Sequence, residues 1–282
     1  MRRVGTRRGA LGSGDAHAFV RCRGEVHAVY VACSTLCFSR LSLDEALQTI
    51  REMRFAKADL AIHDSGTHLS PADVVADGPK IAQRLKASNL PLAAFHVAVA
   101  CADPELARKQ LRAVCRLARV LTVPLLTVSA APLGADFDAE ADRLCGWTRI
   151  AESEGVMLTV ETHSETLTAD PLGALELCRR IPGLGLALDP SHYLVGPHGE
   201  RNYDALFPYV RHVRLRDTGK KPEEFQVRVG QGQLEYGRII SYLAKNRYDR
   251  GLTVDVRSLP PSPFPVEPEI RKLKYLLESL CE

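Results

Sequence analysis

The chain has 282 residues, of which 45% are hydrophobic and 25% are charged, which allows one large domain with a substantial core and excludes a largely disordered chain. It contains no run of about 18 apolar residues that could cross a bilayer, and its N-terminus lacks the apolar segment of a secretory signal. The net charge is only +3, and a cytoplasmic protein without membrane contact is expected.

Residues 1–28 are predicted to be a disordered basic tail outside the fold. The first 24 residues hold six arginines and one acid, Asp15, so their net charge is +5 and the remaining chain carries 3 − 5 = −2. This tail is rich in Gly and Arg and shows no period of 2 or 3.6. Because the remaining chain is slightly acidic, no nucleic-acid partner is expected.

From residue 29 onward, short apolar runs alternate with longer segments of helical period, a pattern typical of parallel strands joined by crossover helices. Eight strands are predicted, at 29–35, 59–63, 91–97, 123–129, 156–161, 184–189, 210–215 and 251–256. Eight such units predict a single (β/α)8 TIM barrel over residues 29–282. An open doubly wound sheet is the alternative, but such a sheet usually has a glycine-rich turn after its first strand, where this chain has CSTLCFSRLS.

Several helices between these strands have recognisable starts. Ser42 precedes a helix with Glu45 at the capping-box position, and Asp103 precedes one that begins with proline. The second of these helices is predicted to turn a solvated face outward, formed by Arg108, Arg112, Arg116 and Arg119. The eight cysteines form no CxxC pair and are expected to be reduced, buried thiols.

Polar residues are concentrated where the predicted strands end, which is where TIM barrels carry their chemistry. The stretch LGLALDPSHY, residues 184–193, changes from an apolar strand to Asp189 and His192 within a few positions. Strands five and eight end near Glu161 and Asp255. Carboxylates from three strand ends would repel one another unless a cation, a proton or an arginine neutralises them. The sequence therefore predicts a polar site at the carboxyl ends of the strands, which binds a metal ion or a substrate.

Five motifs occur in order in the second half of the chain: LTVETH, ALDPSHY, HVRLRD, VGQGQLEYGRII and LTVDV. Together they resemble the xylose isomerase-like TIM barrels, which include sugar phosphate isomerases, epimerases and the endonuclease IV group. The family resemblance that they carry extends over residues 29–257. The resemblance implies a divalent ion, Mn²⁺ or Mg²⁺, with Glu161, Asp189 and Asp255 as ligands. It also implies that Glu161 and Asp255 move a proton of a small sugar, sugar phosphate or polyol through an enediolate.

Further strand-end residues are candidates for substrate contacts. The resemblance assigns His192 to a substrate hydroxyl group. Arg214 and Arg216 alternate along strand seven and would suit a phosphate or carboxylate group if they face the barrel interior. Three other histidines complete the set of substrate-binding candidates: His63, His96 and His163. The glycines of VGQGQ indicate a turn or backbone amides that approach an anion.

Two positions depart from the family pattern. Asp255 stands in the place of a glutamate and keeps its charge, and the second departure is more serious. Arg214 stands where the family has a metal-binding histidine, and a guanidinium group has no lone pair for a metal. Either His192, His163 or water completes the metal site, or Arg214 itself occupies the cation position. Three functions follow as hypotheses: an isomerase or epimerase, with a dehydratase as a close variant; a non-catalytic ligand-binding barrel; and a DNA-repair endonuclease.

Overall fold

The computed structural model describes residues 29–66, 68–199, 201–258 and 264–281, so the predicted tail at residues 1–28 lies outside the described residues. Eight parallel strands form a closed barrel in chain order, with β8 paired to β1. The strands are β1 Tyr30–Ser34, β2 Lys57–His63, β3 Leu92–Ala98, β4 Leu125–Val128, β5 Met157–Glu161, β6 Gly185–Leu188, β7 Val210–Leu215 and β8 Gly251–Val254. The predicted TIM barrel is confirmed.

Helices surround the barrel. They are α1 Leu43–Glu52, α2 Pro71–Ala87, α3 Pro104–Val120, α4 Phe137–Ser153, α5 Pro171–Arg180, α6 Ser191–Val195, α7 Tyr236–Lys245 and α8 Val266–Cys281. The predicted capping box of α1 is present, because Ser42 and Glu45 bond reciprocally, and Asp103 caps α3 as expected. The four predicted arginines of α3 are exposed. The crossover after β6 is atypical, since the five-residue α6 is followed by a 3₁₀ helix, Asp204–Tyr209.

Side chains along each strand alternate between the inside of the barrel and the layer between the strands and the helices. Outward-facing apolar residues such as Leu60, Leu126 and Leu186 belong to the large core between the strands and the helices. Inward-facing residues are small or polar, and Thr127 and Thr159 share a hydrogen bond of 2.9 Å inside the barrel. The barrel interior is therefore polar enough to hold charged side chains.

The seven cysteines within the described residues are free thiols, in agreement with the predicted reduced state. The expectation that they are buried holds for four of them and is wrong for Cys101 and Cys145, which are half-buried, and for Cys281, which is exposed on the last turn of α8. None of the helices in the described ranges combines the length and the apolar character needed to cross a membrane.

Candidate active site at the carboxyl ends of the strands

The structure brings the predicted site residues to one end of the barrel, because all eight strands run parallel and each residue lies at or just after the end of its strand. The positions are His63 on β2, His96 on β3, Glu161 on β5, His163 after β5, Asp189 and His192 after β6, Arg214 and Arg216 on and after β7, and Asp255 after β8.

Asp189 and Asp255 lie against a single guanidinium group. Arg216 places its Nη1 2.8 Å from Asp189 Oδ2, an ion pair without hydrogen-bond geometry. Its Nη2 donates to Asp255 Oδ2 and its Nε donates to the Asp255 backbone carbonyl at 3.0 Å. The side chains of Arg216 and Asp255 are fully buried. The predicted carboxylates therefore converge, but a protein cation already lies between two of them.

Arg214 points into the barrel, as its alternation with His212 and Arg216 predicts. Its Nη2 lies 3.2 Å from Asp255 Oδ1, and its Nη1 lies 3.5 Å from Asp59 Oδ2. Burial by itself raises the pKa of Asp255, but the neighbouring guanidinium groups, that of Arg214 above all, outweigh burial and hold this pKa well below its usual range. Asp255 is therefore ionised.

Glu161 is held by hydrogen bonds to His96 and Ser129, and no arginine among the described residues lies within ion-pair distance of it. Its Oε2 lies 2.8 Å from His96 Nε2, and its Oε1 accepts the Ser129 hydroxyl group. Burial raises the pKa of Glu161, but His96, Arg214 and Ser129 together hold it well below the usual range. On the far side of His96, the Nδ1 atom lies 3.0 Å from His63 Nε2. Glu161 is thus an ionised carboxylate at the inner end of a chain of imidazoles.

His192 follows β6, the strand paired with the Glu161 strand. Its Nδ1 accepts from the Ser164 backbone N–H at 3.2 Å, so a neutral ring carries its proton on Nε2. That Nε2 lies 3.9 Å from Asp189 Oδ2 and makes no hydrogen bond within the described residues. Burial lowers the pKa of His192 to about 3, against the opposing charge of Asp189. The rings of His163 and Phe225 pack against it, with centroid distances of 4.0 and 4.7 Å.

The structure adds four residues that sequence reasoning missed. Asp59 accepts from His212 Nε2 at 2.9 Å, inside the barrel. Arg257 donates from Nε and Nη2 to Asp255 Oδ2, at 3.0 and 2.8 Å, and its side chain is 30% exposed. Ser129 and Phe225 are the other two. Strand alternation could have found Asp59, Arg257 and Ser129, since each lies two or four residues from a residue that faces inward.

The glycine-rich loop after β7 is occupied by the chain's own carboxylate. Asp217 Oδ2 accepts from the backbone N–H groups of Gly230 at 2.7 Å and Gly232 at 3.1 Å. Asp217 Oδ1 accepts from the Thr218 N–H at 3.0 Å. The sequence allowed either a turn or a site for a ligand anion in this loop. The structure shows an internally bonded turn, and the Gly230 and Gly232 amides are not free for a ligand anion.

Comparison with known proteins identifies the family to which this barrel belongs. A family model described as "Xylose isomerase-like TIM barrel" matches residues 47–276, more than half of the chain. The chain belongs to the xylose isomerase-like TIM barrel family. None of the curated proteins compared with it matches its sequence.

Solved members with this fold are distant in sequence. A D-tagatose 3-epimerase-like protein shares 19% identity, with a TM-score of 0.69 and coverage of 89% of this chain and 97% of that one. A xylose isomerase-like TIM barrel protein from Mycobacterium smegmatis, solved in complex with magnesium, shares 14% identity, with a TM-score of 0.71 and coverage of 91% and 98%. A probable 3-DHS dehydratase from Bacillus anthracis shares 16%, with a TM-score of 0.66 and coverage of 89% and 99%. At these identities the likeness establishes the fold.

The ligand set expected of this xylose isomerase-like barrel does not fit a divalent ion in the observed arrangement. Asp189 and Asp255 have oxygens engaged by Arg216, and both oxygens of Glu161 have hydrogen-bond partners. Across the part of the chain that the structure describes, no three His, Cys, Asp or Glu side chains converge so as to hold a metal ion. Carboxylates that bind Ca²⁺, Mg²⁺ or Mn²⁺ must direct oxygens at a common point, and the point toward which Asp189 and Asp255 direct their Oδ2 atoms is taken by the Arg216 guanidinium group.

Proposed function

We propose that this protein is an enzyme of the sugar isomerase and epimerase type, which moves a proton at the carbon next to a carbonyl group of a small, sugar-like substrate. Glu161 is the base in this proposal. The observation that carries it is the state of Glu161: an ionised carboxylate at the barrel mouth, without an arginine in contact, oriented by His96 and Ser129. A general base must be deprotonated, positioned and within reach of the carbon-bound proton.

The other side chains of the mouth suit the oxygens of such a substrate. The His192 Nε2–H has no protein partner within the described residues and can donate to a hydroxyl or carbonyl oxygen. Arg257 is the exposed member of the arginine group, and a guanidinium group stabilises the negative charge that develops on an enediolate oxygen. Arg214 and Arg216, predicted to bind substrate, are fully buried, so in this proposal Arg257 takes that part.

The arrangement favours an isomerase over a two-base epimerase. In the proposed reaction Glu161 removes a proton from the carbon beside the carbonyl group, and the same carboxyl group returns it to the former carbonyl carbon. The proton of the hydroxyl group on the first carbon passes to the former carbonyl oxygen, so that a new carbonyl group forms on the first carbon. An epimerase needs a second group on the opposite face, and the resemblance assigns that part to Asp255. The side chain of Asp255 is fully buried and three guanidinium groups lie against its oxygens, so it is less accessible to a substrate proton than Glu161, which no arginine contacts.

The experiment is proton exchange in D₂O. The protein, treated with a chelator, is incubated with a panel of aldoses, ketoses and their phosphates, and NMR follows both loss of the C–H signal beside the carbonyl group and the product formed. We expect exchange and aldose–ketose conversion with at least one substrate. Glu161→Gln keeps the side-chain shape and should slow exchange by about 10² to 10⁴-fold. Glu165→Gln, an exposed position in the following loop, is the matched control and should have no effect.

A non-catalytic ligand-binding barrel is the second candidate, and the pairing of Asp189 and Asp255 with Arg216 favours it. Binding of a sugar from the panel without exchange of any of its protons would support that candidate and contradict the first. An endonuclease gains no support from the site, since a multi-metal ligand set does not converge among the described residues. Inversion at a carbon without aldose–ketose conversion would show that a second base exists and that the one-base assignment is wrong.

A further inference from the structure

Three guanidinium groups converge on the carboxylate of Asp255. Arg214 Nη2 lies 3.2 Å from Oδ1, Arg257 Nη2 donates to Oδ2 at 2.8 Å, and Arg216 Nη2 donates to the same oxygen. The side chains of Arg214 and Arg216 are at most 1% exposed. Arginine is the residue best suited to such buried pairs, because its guanidinium group is always charged and weakly hydrated.

Two of these arginines also contact a second carboxylate. Arg216 connects Asp255 to Asp189, at 2.8 Å, and Arg214 connects Asp255 to Asp59, at 3.5 Å. Negative and positive side chains therefore alternate in one buried row across the end of the barrel, in the order Asp59, Arg214, Asp255, Arg216 and Asp189. Asp189 and Asp255 are the two predicted metal ligands that share Arg216, so its guanidinium group lies where an ion shared by these two carboxylates would have to lie.

The charges of this cluster balance. Asp59, Asp189 and Asp255 supply three negative charges, and three positive charges come from Arg214, Arg216 and Arg257. Glu161, the third predicted ligand, is also ionised and adds one negative charge near Arg214, so a divalent ion bound here would leave a net charge of +1 in the buried site. Placing an uncompensated charge in such a site is strongly unfavourable.

Displacing Arg216 to make room for an ion is opposed by its other contacts. Its Nε bonds to the Asp255 carbonyl group, and the Phe225 ring covers its guanidinium plane with a centroid distance of 4.5 Å. The loop that carries Phe225 is itself tied to the end of β8, because the Gln226 side chain bonds to both the backbone N–H and the backbone carbonyl group of Arg257.

We propose that Arg216, supported by Arg214 and Arg257, is a built-in cation that replaces a divalent ion between Asp189 and Asp255. The chain then folds and binds its ligand without Mn²⁺ or Mg²⁺. This inference concerns ion binding and folding, so it stands or fails independently of the isomerase reaction proposed above.

The first test titrates Mn²⁺ into chelator-treated, full-length protein and follows the electron paramagnetic resonance signal of free Mn²⁺. We expect the wild type and Asp189→Asn to take up the same amount of ion, and the melting temperature of the wild type to be unchanged by Mn²⁺ or by a chelator. Uptake of one Mn²⁺ per chain by the wild type that Asp189→Asn abolishes would overturn the proposal, whatever the outcome of the exchange experiment.

The second test removes the built-in cation. Arg216→Met opens the space between Asp189 and Asp255. It should bind Mn²⁺ at least about tenfold more tightly than the wild type and be stabilised by the ion, since Asp189 then lacks a guanidinium partner while Asp255 keeps Arg214 and Arg257. The matched control is Arg238→Met, which removes a guanidinium group from Asp204 outside the barrel mouth and should leave Mn²⁺ binding unchanged. A folded Arg216→Met protein that binds Mn²⁺ no better than this control contradicts the proposal. Should that variant fail to fold, the wild-type titration decides.

Discussion

Replacement of Arg214 by Met tests whether the buried cluster stabilises the fold. The Arg214 side chain is 1% exposed and bridges Asp59 and Asp255. After the replacement Asp255 still contacts Arg216 and Arg257, whereas Asp59 keeps only His212 Nε2, at 2.9 Å, among its described partners. The cost therefore arises at Asp59, which becomes a buried carboxylate without a guanidinium partner. Such a loss destabilises a protein by about 3 to 5 kcal/mol.

The measurement is urea and thermal unfolding of the wild type, Arg214→Met and Arg257→Met. For a chain of this size, the expected loss corresponds to a fall in melting temperature of about 6 to 20 °C. Arg257→Met is the matched control on the same carboxylate: Arg257 is 30% exposed and Asp255 retains two other arginines, so a loss of about 1 kcal/mol or less is expected.

The double variant Asp59→Asn, Arg214→Met distinguishes two causes of instability: the loss of the Arg214 contacts and the burial of an unpaired Asp59 carboxylate. Asn at position 59 removes the negative charge while it keeps an acceptor for His212, so this variant should be more stable than Arg214→Met alone. The reasoning is refuted if Arg214→Met loses no more stability than Arg257→Met, or if Asp59→Asn restores nothing in the Arg214→Met background.

Three further predictions concern other features of the molecule. Burial raises the pKa of Asp59, but Arg214 and the His212 hydrogen bond hold it below its usual range, so its stabilising effect is complete above about pH 5 and is lost as the pH falls through the lowered pKa. Urea unfolding below about pH 5 should therefore show a steeper loss of stability for the wild type than for Asp59→Asn. Gly232→Ala should destabilise the loop after β7, because a Cβ atom would lie 2.0 Å from Asp217 Oδ1, while Gly237→Ala, with nothing within 4 Å, should be neutral or stabilising in thermal melts. Deletion of residues 1–28 should leave cooperative unfolding intact, since β1 and β8 close the barrel without them; loss of a cooperative transition would show that the tail is part of the fold.

The sequence by itself determined the architecture and the end of the barrel at which the site lies. Apolar, β-branched runs alternating with helical segments predict eight parallel strands, and capping residues such as Ser42 and Asp103 mark where helices begin. These signals are local, since they depend on side-chain periods of 2 and 3.6 residues and on backbone groups within one turn. Parallel strands then place Glu161, Asp189 and Asp255 at one end without further information.

Only the tertiary structure decided which charged groups meet. Strand alternation turns Arg214 and Arg216 inward, but it does not show that Arg216 lies between Asp189 and Asp255 or that Arg214 reaches Asp59 on the far side of the barrel. Those contacts join residues on β2, β6, β7 and β8, and barrel closure and the side-chain rotamers fix their distances. In the proposal made above, these long-range distances decide between a metal ion and an arginine, because the same carboxylates can pair with either cation.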